Sequence, residues 1–206
     1  MIDLLLASNN PGKVRQLRAI LPSEVRVVTM DDLGLPEPVE DGATFAENAN
    51  IKALAGARAS GLLTLADDSG LEVEALGGQP GVRSARFASE NPTENENIDL
   101  LLSRLAHTPH DRRQARFVCV LSLAHASGVL ATATGTVPGT IGFERRGSNG
   151  FGYDPVFLMD DGRTMAEISP DEKNAVSHRS LALREMLPSL LIAIGTYRFA
   201  QESTGQ

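Results

Sequence analysis

The sequence predicts a mixed α/β (α+β) fold on a long central mixed β-sheet with helices on both faces. Three observations predict it. Strand-like and helix-like segments alternate through the first half of the chain. Two long β-rich runs, residues 115–124 and 129–137, flank the turn sequence His125-Ala126-Ser127-Gly128. The 206 residues, 42% of them hydrophobic, suffice for one domain with a substantial, mostly aliphatic core, since Trp is absent and aromatics make up 4%.

Residues 2–8 form an almost unbroken apolar run, the mark of a strand covered on both faces. Asn9-Asn10-Pro11-Gly12-Lys13 then opens a helix to about Leu21, with an asparagine as cap and Pro11 at the first helical position. Val25 to Thr29 is a second strand. After a loop rich in Gly, Pro and acids, Thr44-Phe45-Ala46-Glu47 has capping-box spacing and starts a helix that Gly61 stops. The run Leu62-Leu63-Thr64-Leu65-Ala66 is a strand that meets Asp67-Asp68-Ser69-Gly70. Strand side chains alternate faces, so two adjacent acids aimed one way imply that the strand has ended at a sheet rim. Leu71–Leu76 is a separate apolar segment, and Asn91-Pro92 starts a helix with Ile98, Leu101, Leu102 and Leu105 inward. Beyond the hairpin, a Gly-rich loop leads to a short strand. Ser169-Pro170-Asp171-Glu172 is a second capping-box pattern before the last helices, and Glu202–Gln206 is expected to fray.

A formal charge of −7 argues against binding nucleic-acid polymers, which need a basic footprint, but not against a small polyanion met by local cations or a divalent metal. No apolar run reaches the length of a membrane span, and Asp3 stands where a signal peptide needs positive charge. A single cysteine, Cys119, excludes an intrachain disulfide and suits a reducing compartment. The expectation is a cytoplasmic protein with no membrane partner.

Five segments carry chemistry. Ser8-Asn9-Asn10-Pro11-Gly12-Lys13 joins a strand to a helix N-terminus, where free N–H groups and the helix dipole favour an anion. It is not a Walker loop and, taken alone, such a loop is more often a cap than a phosphate site. Asp67-Asp68 suits a hard cation such as Mg²⁺, which uses one or two carboxylates and completes its shell with water and phosphate oxygens, and it also suits a polar turn. Glu40-Asp41-Gly42 precedes the second helix, on which Asn48 and Lys52 neighbour each other at i,i+4, and Lys52 either snorkels or reaches into a site. Gly150-Phe151-Gly152-Tyr153-Asp154-Pro155 offers an aromatic face on a bendable backbone, either a stacking platform for a nucleobase or a plug on the core. In Glu172–Arg179, one continuous helix would set Lys173 and His178 about 140° apart. If both serve one ligand the helix must break, with Ser177 capping a second helix at His178.

Taken together, the runs SNNPGK, TFAENANIKA, ADDSGLEVEALGGQPGVRSARF, GFGYDPVF and AEISPDEKNAVSHR resemble the inosine triphosphate pyrophosphatase family, the bacterial dITP/XTP pyrophosphatases in particular, over about Asp3–Leu187. Asn9 departs from the glycine many members carry there. The resemblance implies a single domain over residues 1–206 with two lobes around an active-site cleft, a C-terminal tail from about residue 195, and a homodimer. It implies Mg²⁺-dependent hydrolysis of ITP, dITP and XTP to the monophosphate and pyrophosphate, with Mn²⁺ as an alternative metal. By motif, Ser8, Asn9, Asn10, Pro11, Gly12 and Lys13 would bind the triphosphate. Asp68 would be general base and metal ligand, Glu40 the second metal ligand, and Lys52 a catalytic lysine at the phosphates. Ser69, Phe151, Gly152, Tyr153, Asp154, Lys173, His178 and Arg179 would contact substrate. The rival readings are an aspartyl phosphatase releasing orthophosphate, whose DxD pattern the adjacent acids do not form, and a non-catalytic nucleotide sensor.

Overall fold

In the computed structural model, which describes residues 2–204 (198–204 by backbone alone), one mixed six-stranded sheet runs in the order β2-β1-β3-β4-β5-β6. The strands are β1 (Ile2–Leu6), β2 (Val25–Thr29), β3 (Leu63–Val73), β4 (Gln114–His125), β5 (Gly128–Ile141) and β6 (Phe157–Leu158). The helices are α1 (Pro11–Ile20), α2 (Phe45–Ser60), α3 (Glu94–Arg104), α4 (Pro170–Val176) and α5 (His178–Thr204). β1 pairs in parallel with both β2 and β3, and β5 pairs antiparallel with β6. The chain divides into two compact units. The first comprises residues 1–68, 119–135 and 179–206, the second 69–118 and 136–178, so β3, β4 and β5 each contribute to both.

The first unit is layered by the pleat of its strands. Leu4 and Leu6 of β1, with Leu63 and Leu65 of β3, face a core completed by Leu17 of α1 and Ala182, Leu183, Met186 and Leu190 of α5. Leu5 and Ala66 face the other way, onto Ala53 and Ala57 of α2. Small residues bring α2 close. A Cβ on Gly56 would stand 3.0 Å from side-chain carbons of both Leu5 and Thr64. The chain winds from β1 through α1 to β2 on one side, then through α2 to β3 on the other. The strand order therefore reverses at β1, and ligands of open α/β sheets bind beyond the carboxyl ends of strands at such a reversal. The second unit has its own core, in which Leu71, Val73, Ile98, Leu101, Phe117, Ile141, Val156 and Phe157 pack together.

Local signals act where expected. The Asn10 side chain caps α1, and Gly61 ends α2 at φ +72°. Ser169 and Glu172 form a reciprocal capping box on α4. Thr44 caps α2 through the Glu47 N–H, but the Glu47 carboxylate accepts from the Ala43 N–H instead, so only half of that box forms. The break that a ligand shared by Lys173 and His178 would require is present: Ser177 is extended at ψ 155° between α4 and α5. α3 begins later than Asn91-Pro92, behind a Thr93–Glu96 capping box.

Two expectations are corrected. β1 ends at Leu6 rather than Ser8, because Ser8 folds back to donate to the Leu6 carbonyl. β3 does not end at its acids. Asp67 and Asp68 lie inside an 11-residue strand that absorbs Leu71–Val73 of the supposed separate segment. α5 backbone continues through Thr204, and Gly205-Gln206 of the expected fray lie outside the described residues.

Candidate active site

β3 outruns its neighbour where its acids come. Leu6, the last residue of β1, pairs with Leu65, and the Ala7 N–H still reaches the Leu65 carbonyl at 2.9 Å. Asp67 and Asp68 therefore stand just past the carboxyl end of β1. Being consecutive in a strand, they point to opposite faces.

Asp67 continues the Leu63–Leu65 side and is fully buried. Lys13 of α1 lies 3.1 Å from its Oδ1. From α5, the Arg179 Nε donates to its Oδ2 at 3.2 Å, and the Arg179 Nη1 donates to Gln16 Oε1 at 2.6 Å. The Cys119 Sγ adds a weak contact to Oδ2 at 3.9 Å. Burial pushes the Asp67 pKa up, but the charges of Lys13, Arg179 and Lys52 outweigh it and hold the carboxyl well below the usual range. Burial and the neighbouring Asp67 charge push the Cys119 thiol to about 12, which makes it inert at neutral pH.

Asp68 continues the Thr64–Ala66 side and meets α2. Lys52 Nζ donates to its Oδ1 at 3.0 Å and Asn48 Nδ2 to its Oδ2 at 3.2 Å. Lys52 Nζ also lies 3.3 Å from Oε2 of Glu40, whose side chain is 31% exposed. Here burial raises the Asp68 carboxyl above its ordinary value despite the lysines beside it. Burial lowers the Lys52 ammonium, but the Asp68, Asp67 and Glu40 charges raise it further, so it remains a cation.

Glu40 and Asp68 thus each place a carboxylate oxygen, a hard donor, against the Lys52 ammonium. Among the described residues no group of three or more His, Cys, Asp or Glu could hold a metal ion. Two carboxylates match in number and chemistry what Mg²⁺ takes from a protein when water and phosphate oxygens supply the rest of its shell.

The phosphate-loop candidates precede and open α1. Asn10 Oδ1 accepts from the N–H groups of Gly12 and Lys13 at 2.9 and 3.1 Å, and the Asn10 N–H contacts Ser8 Oγ at 3.3 Å. Pro11 occupies the first helical turn, and Asn9 Oδ1 is a buried acceptor without a hydrogen-bond partner among the described residues. The loop presents Lys13 on a rigid base, with its first amides already capped.

In the second unit, the Phe151–Asp154 loop closes on itself. Asp154 Oδ2 accepts from the Phe151 N–H at 2.7 Å and from Lys173 Nζ, while Lys173 sits 4.6 Å from the centre of the Phe151 ring. Gly152 follows at φ +62°, and the Tyr153 hydroxyl donates to the Ser84 carbonyl at 2.9 Å. His178 stacks on Phe117 of β4, with centroids 4.8 Å apart and an interplanar angle of 17°. Ser69, half-buried, opens this unit's share of β3. The sequence pair His178-Arg179 is therefore divided, His178 on an aromatic face and Arg179 in the ion cluster around Asp67.

A sequence model of the Ham1 family matches residues 4–189. The chain belongs to the Ham1 family. It is 47% identical to a dITP/XTP pyrophosphatase of Anaeromyxobacter dehalogenans over 92% of this chain and 97% of that one. It is 52% identical to the dITP/XTP pyrophosphatase of Methylococcus capsulatus over 87% and 91%. Among solved structures, a HAM1 protein from Coxiella burnetii superposes with TM-score 0.84 at 39% identity, covering 94% of this chain and 99% of that one. The dITP/XTP pyrophosphatase of Mycobacterium abscessus gives 0.75 at 43% identity, covering 91% and 100%.

For this Ham1-family chain, sequence reasoning missed Gln16, Asn48 and Phe117 as members of the polar and aromatic constellations. Gln16 is a buried polar residue beside Leu17, a signal only in retrospect. Phe117 reads as ordinary strand core. Asn48 was visible as the i,i+4 neighbour of Lys52, but its tie to Asp68 spans 20 residues of sequence.

Proposed function

We propose that this protein hydrolyses non-standard, deaminated purine nucleoside triphosphates (ITP, dITP, XTP) to the nucleoside monophosphate and pyrophosphate. The observation that carries it is the Asp68–Lys52–Glu40 arrangement in a chain about half identical, over most of its length, to proteins named dITP/XTP pyrophosphatase. Water adds to the α-phosphorus, the bond from that phosphorus to the bridging oxygen of the β-phosphate breaks, and pyrophosphate leaves. Asp68, fixed at both oxygens, accepts the proton of the attacking water; its raised pKa suits a base better than an ordinary aspartate. Lys52 and Lys13 supply positive charge for phosphate oxygens, which the acidic chain lacks overall. Glu40 and Asp68 would hold Mg²⁺, with Mn²⁺ as a substitute, and the bound ion would neutralise phosphate charge.

In the other unit, the Phe151 ring offers a stacking face and Lys173 and His178 offer polar contacts suited to a purine. A 6-oxo group accepts where adenine's amino group donates, so a site built from donors favours the deaminated base. Arg179 enters this reading with Nε and Nη1 already engaged by Asp67 and Gln16. The proposal includes cytoplasmic action, in line with the lone unpaired cysteine, and a homodimeric state. No described helix is long and apolar enough to cross a membrane.

The test incubates purified protein and Mg²⁺ with ITP, dITP, XTP, GTP, ATP and dTTP and reads products by ³¹P NMR. Pyrophosphate from the 6-oxo purines with little from ATP or dTTP supports the reading. Orthophosphate as the first product overturns it in favour of a phosphatase, and tight binding without product in favour of a sensor.

A further inference from the structure

Asn48 is 3% exposed, and a buried primary amide must place both its donor and its acceptor ends. Its Oδ1 accepts from the Gly42 N–H at 2.8 Å, which turns the NH₂ end to Asp68 Oδ2 at 3.2 Å. Chemistry forbids the flipped amide, which would set NH₂ against N–H and carbonyl against carboxylate. The loop approaches this closely only because residue 42 is glycine. A Cβ there would stand 2.7 Å from Asn48 Oδ1, 2.7 Å from Glu47 Cβ and 2.9 Å from Asn48 N. Two residues upstream, Glu40 meets the same Lys52 that holds Asp68. One amide therefore ties the strand acid to the loop that delivers the second acid.

We infer that Asn48 is a positioning residue for turnover: it fixes the plane of the Asp68 carboxylate through Oδ2, while Lys52 holds Oδ1, and pins the Glu40–Gly42 loop to the same point. Held at both oxygens, the carboxylate cannot rotate without breaking a charge-assisted hydrogen bond, so its remaining lone pairs keep one direction. The inference rests on the reading of Asp68 as the base that acts on water.

The experiment measures kcat and KM for dITP, by pyrophosphate release, together with Tm, in Asn48→Ala, Asn48→Asp, Gly42→Ala, the Gly42→Ala/Asn48→Ala pair and Asp68→Asn. Asn48→Asp keeps the acceptor for Gly42 and the volume but replaces the donor by a second carboxylate, so it stays informative if the alanine variant does not fold. Expected is a fall in kcat of about 10- to 100-fold in both Asn48 variants, the scale of a misplaced catalytic group, with KM held within about threefold. Gly42→Ala, which pushes on the amide without touching Asp68, lowers kcat as well, and the double variant is no slower than Asn48→Ala alone because both break one linkage. Turnover within twofold of wild type in both Asn48 variants, beside an inactive Asp68→Asn, overturns the inference and leaves the reading of Asp68 standing. A higher KM at unchanged kcat overturns it too, making Asn48 a binding residue. Independent, multiplying losses at Gly42 and Asn48 sink the pinned loop. Near-normal turnover in Asp68→Asn removes the reading of Asp68 and the inference with it.

Discussion

Asp67 and Asp68 are the same residue, one peptide bond apart in one strand, and the protein treats them oppositely. Asp67 faces α1 and α5, where Lys13 and Arg179 close around a carboxylate with no exposure and drive its pKa down. Asp68 faces α2, where burial prevails and the pKa rises. An ionised Asp67 is satisfied by the fold and returns stability, whereas burial disfavours the ionised form of Asp68. The difference teaches that the chemistry of a side chain belongs to the face it is given. The pleat of β3 assigns that face.

The sharpest way to break this comparison is to neutralise each acid in turn. Asp68→Asn is expected to lower kcat about a thousandfold, the scale of general-base removal, while Tm moves by less than about 4 °C, the equivalent of roughly 1 kcal/mol in a chain this size. A large drop in Tm would place Asp68 with the structural ions instead. Asp67→Asn leaves buried Arg179 and half-buried Lys13 without their counter-charge and is expected to destabilise by about 3–5 kcal/mol, read as a Tm loss of about 10 °C or more. Denaturation showing a cost below about 1 kcal/mol would deny Asp67 its role as the hub of that cluster.

Phe117→Leu sharpens the comparison from the second unit, since it removes the ring under His178 without charge change. The expected result is KM for dITP raised about three- to tenfold with kcat within about twofold, the loss of roughly 1 kcal/mol of ring contact. An unchanged KM would make that stack core packing alone. The smallest effect is in pH. The Asp67 pKa is lower folded than its ordinary 3.8, so its full contribution to stability is present above that value and drains as pH falls below it. Urea midpoints of wild type and Asp67→Asn should therefore differ most at neutral pH and converge below about pH 3.8. Parallel curves down to the acid limit would contradict the lowered pKa.

What the sequence revealed follows the range of the forces involved. Asn10, Gly61, Ser169 and the break at Ser177 are legible because caps and helix stops are settled within four residues. The hairpin after His125 is legible for the same reason. The continuation of β3 through its acids is not, because what lets carboxylates stay in a buried strand comes from far away. Arg179 lies 112 residues downstream of Asp67, and Lys52 16 residues upstream of Asp68. Reading the acids as a strand end was a sound local inference overruled by long-range ion pairs. Phe117 stayed hidden because a ring that supports His178 has the same pattern in sequence as one that only fills core. Asp68, Lys52, Glu40, Gly42 and Asn48 all stand in segments the sequence singles out; motif resemblance implies roles for the first three, and only the fold ties Asn48 to both Asp68 and Gly42.

The pleat has a consequence for how this strand can vary over descent. Since faces are dealt out one residue at a time, β3 behaves like a reading frame: residues can be exchanged in place, but a single insertion or deletion between Leu65 and Asp68 sends every later side chain to the wrong side. Leu71 and Val73 would leave their core in the same event that parts Asp68 from Lys52. Lineages of this protein should therefore differ along β3 by substitution and not by length.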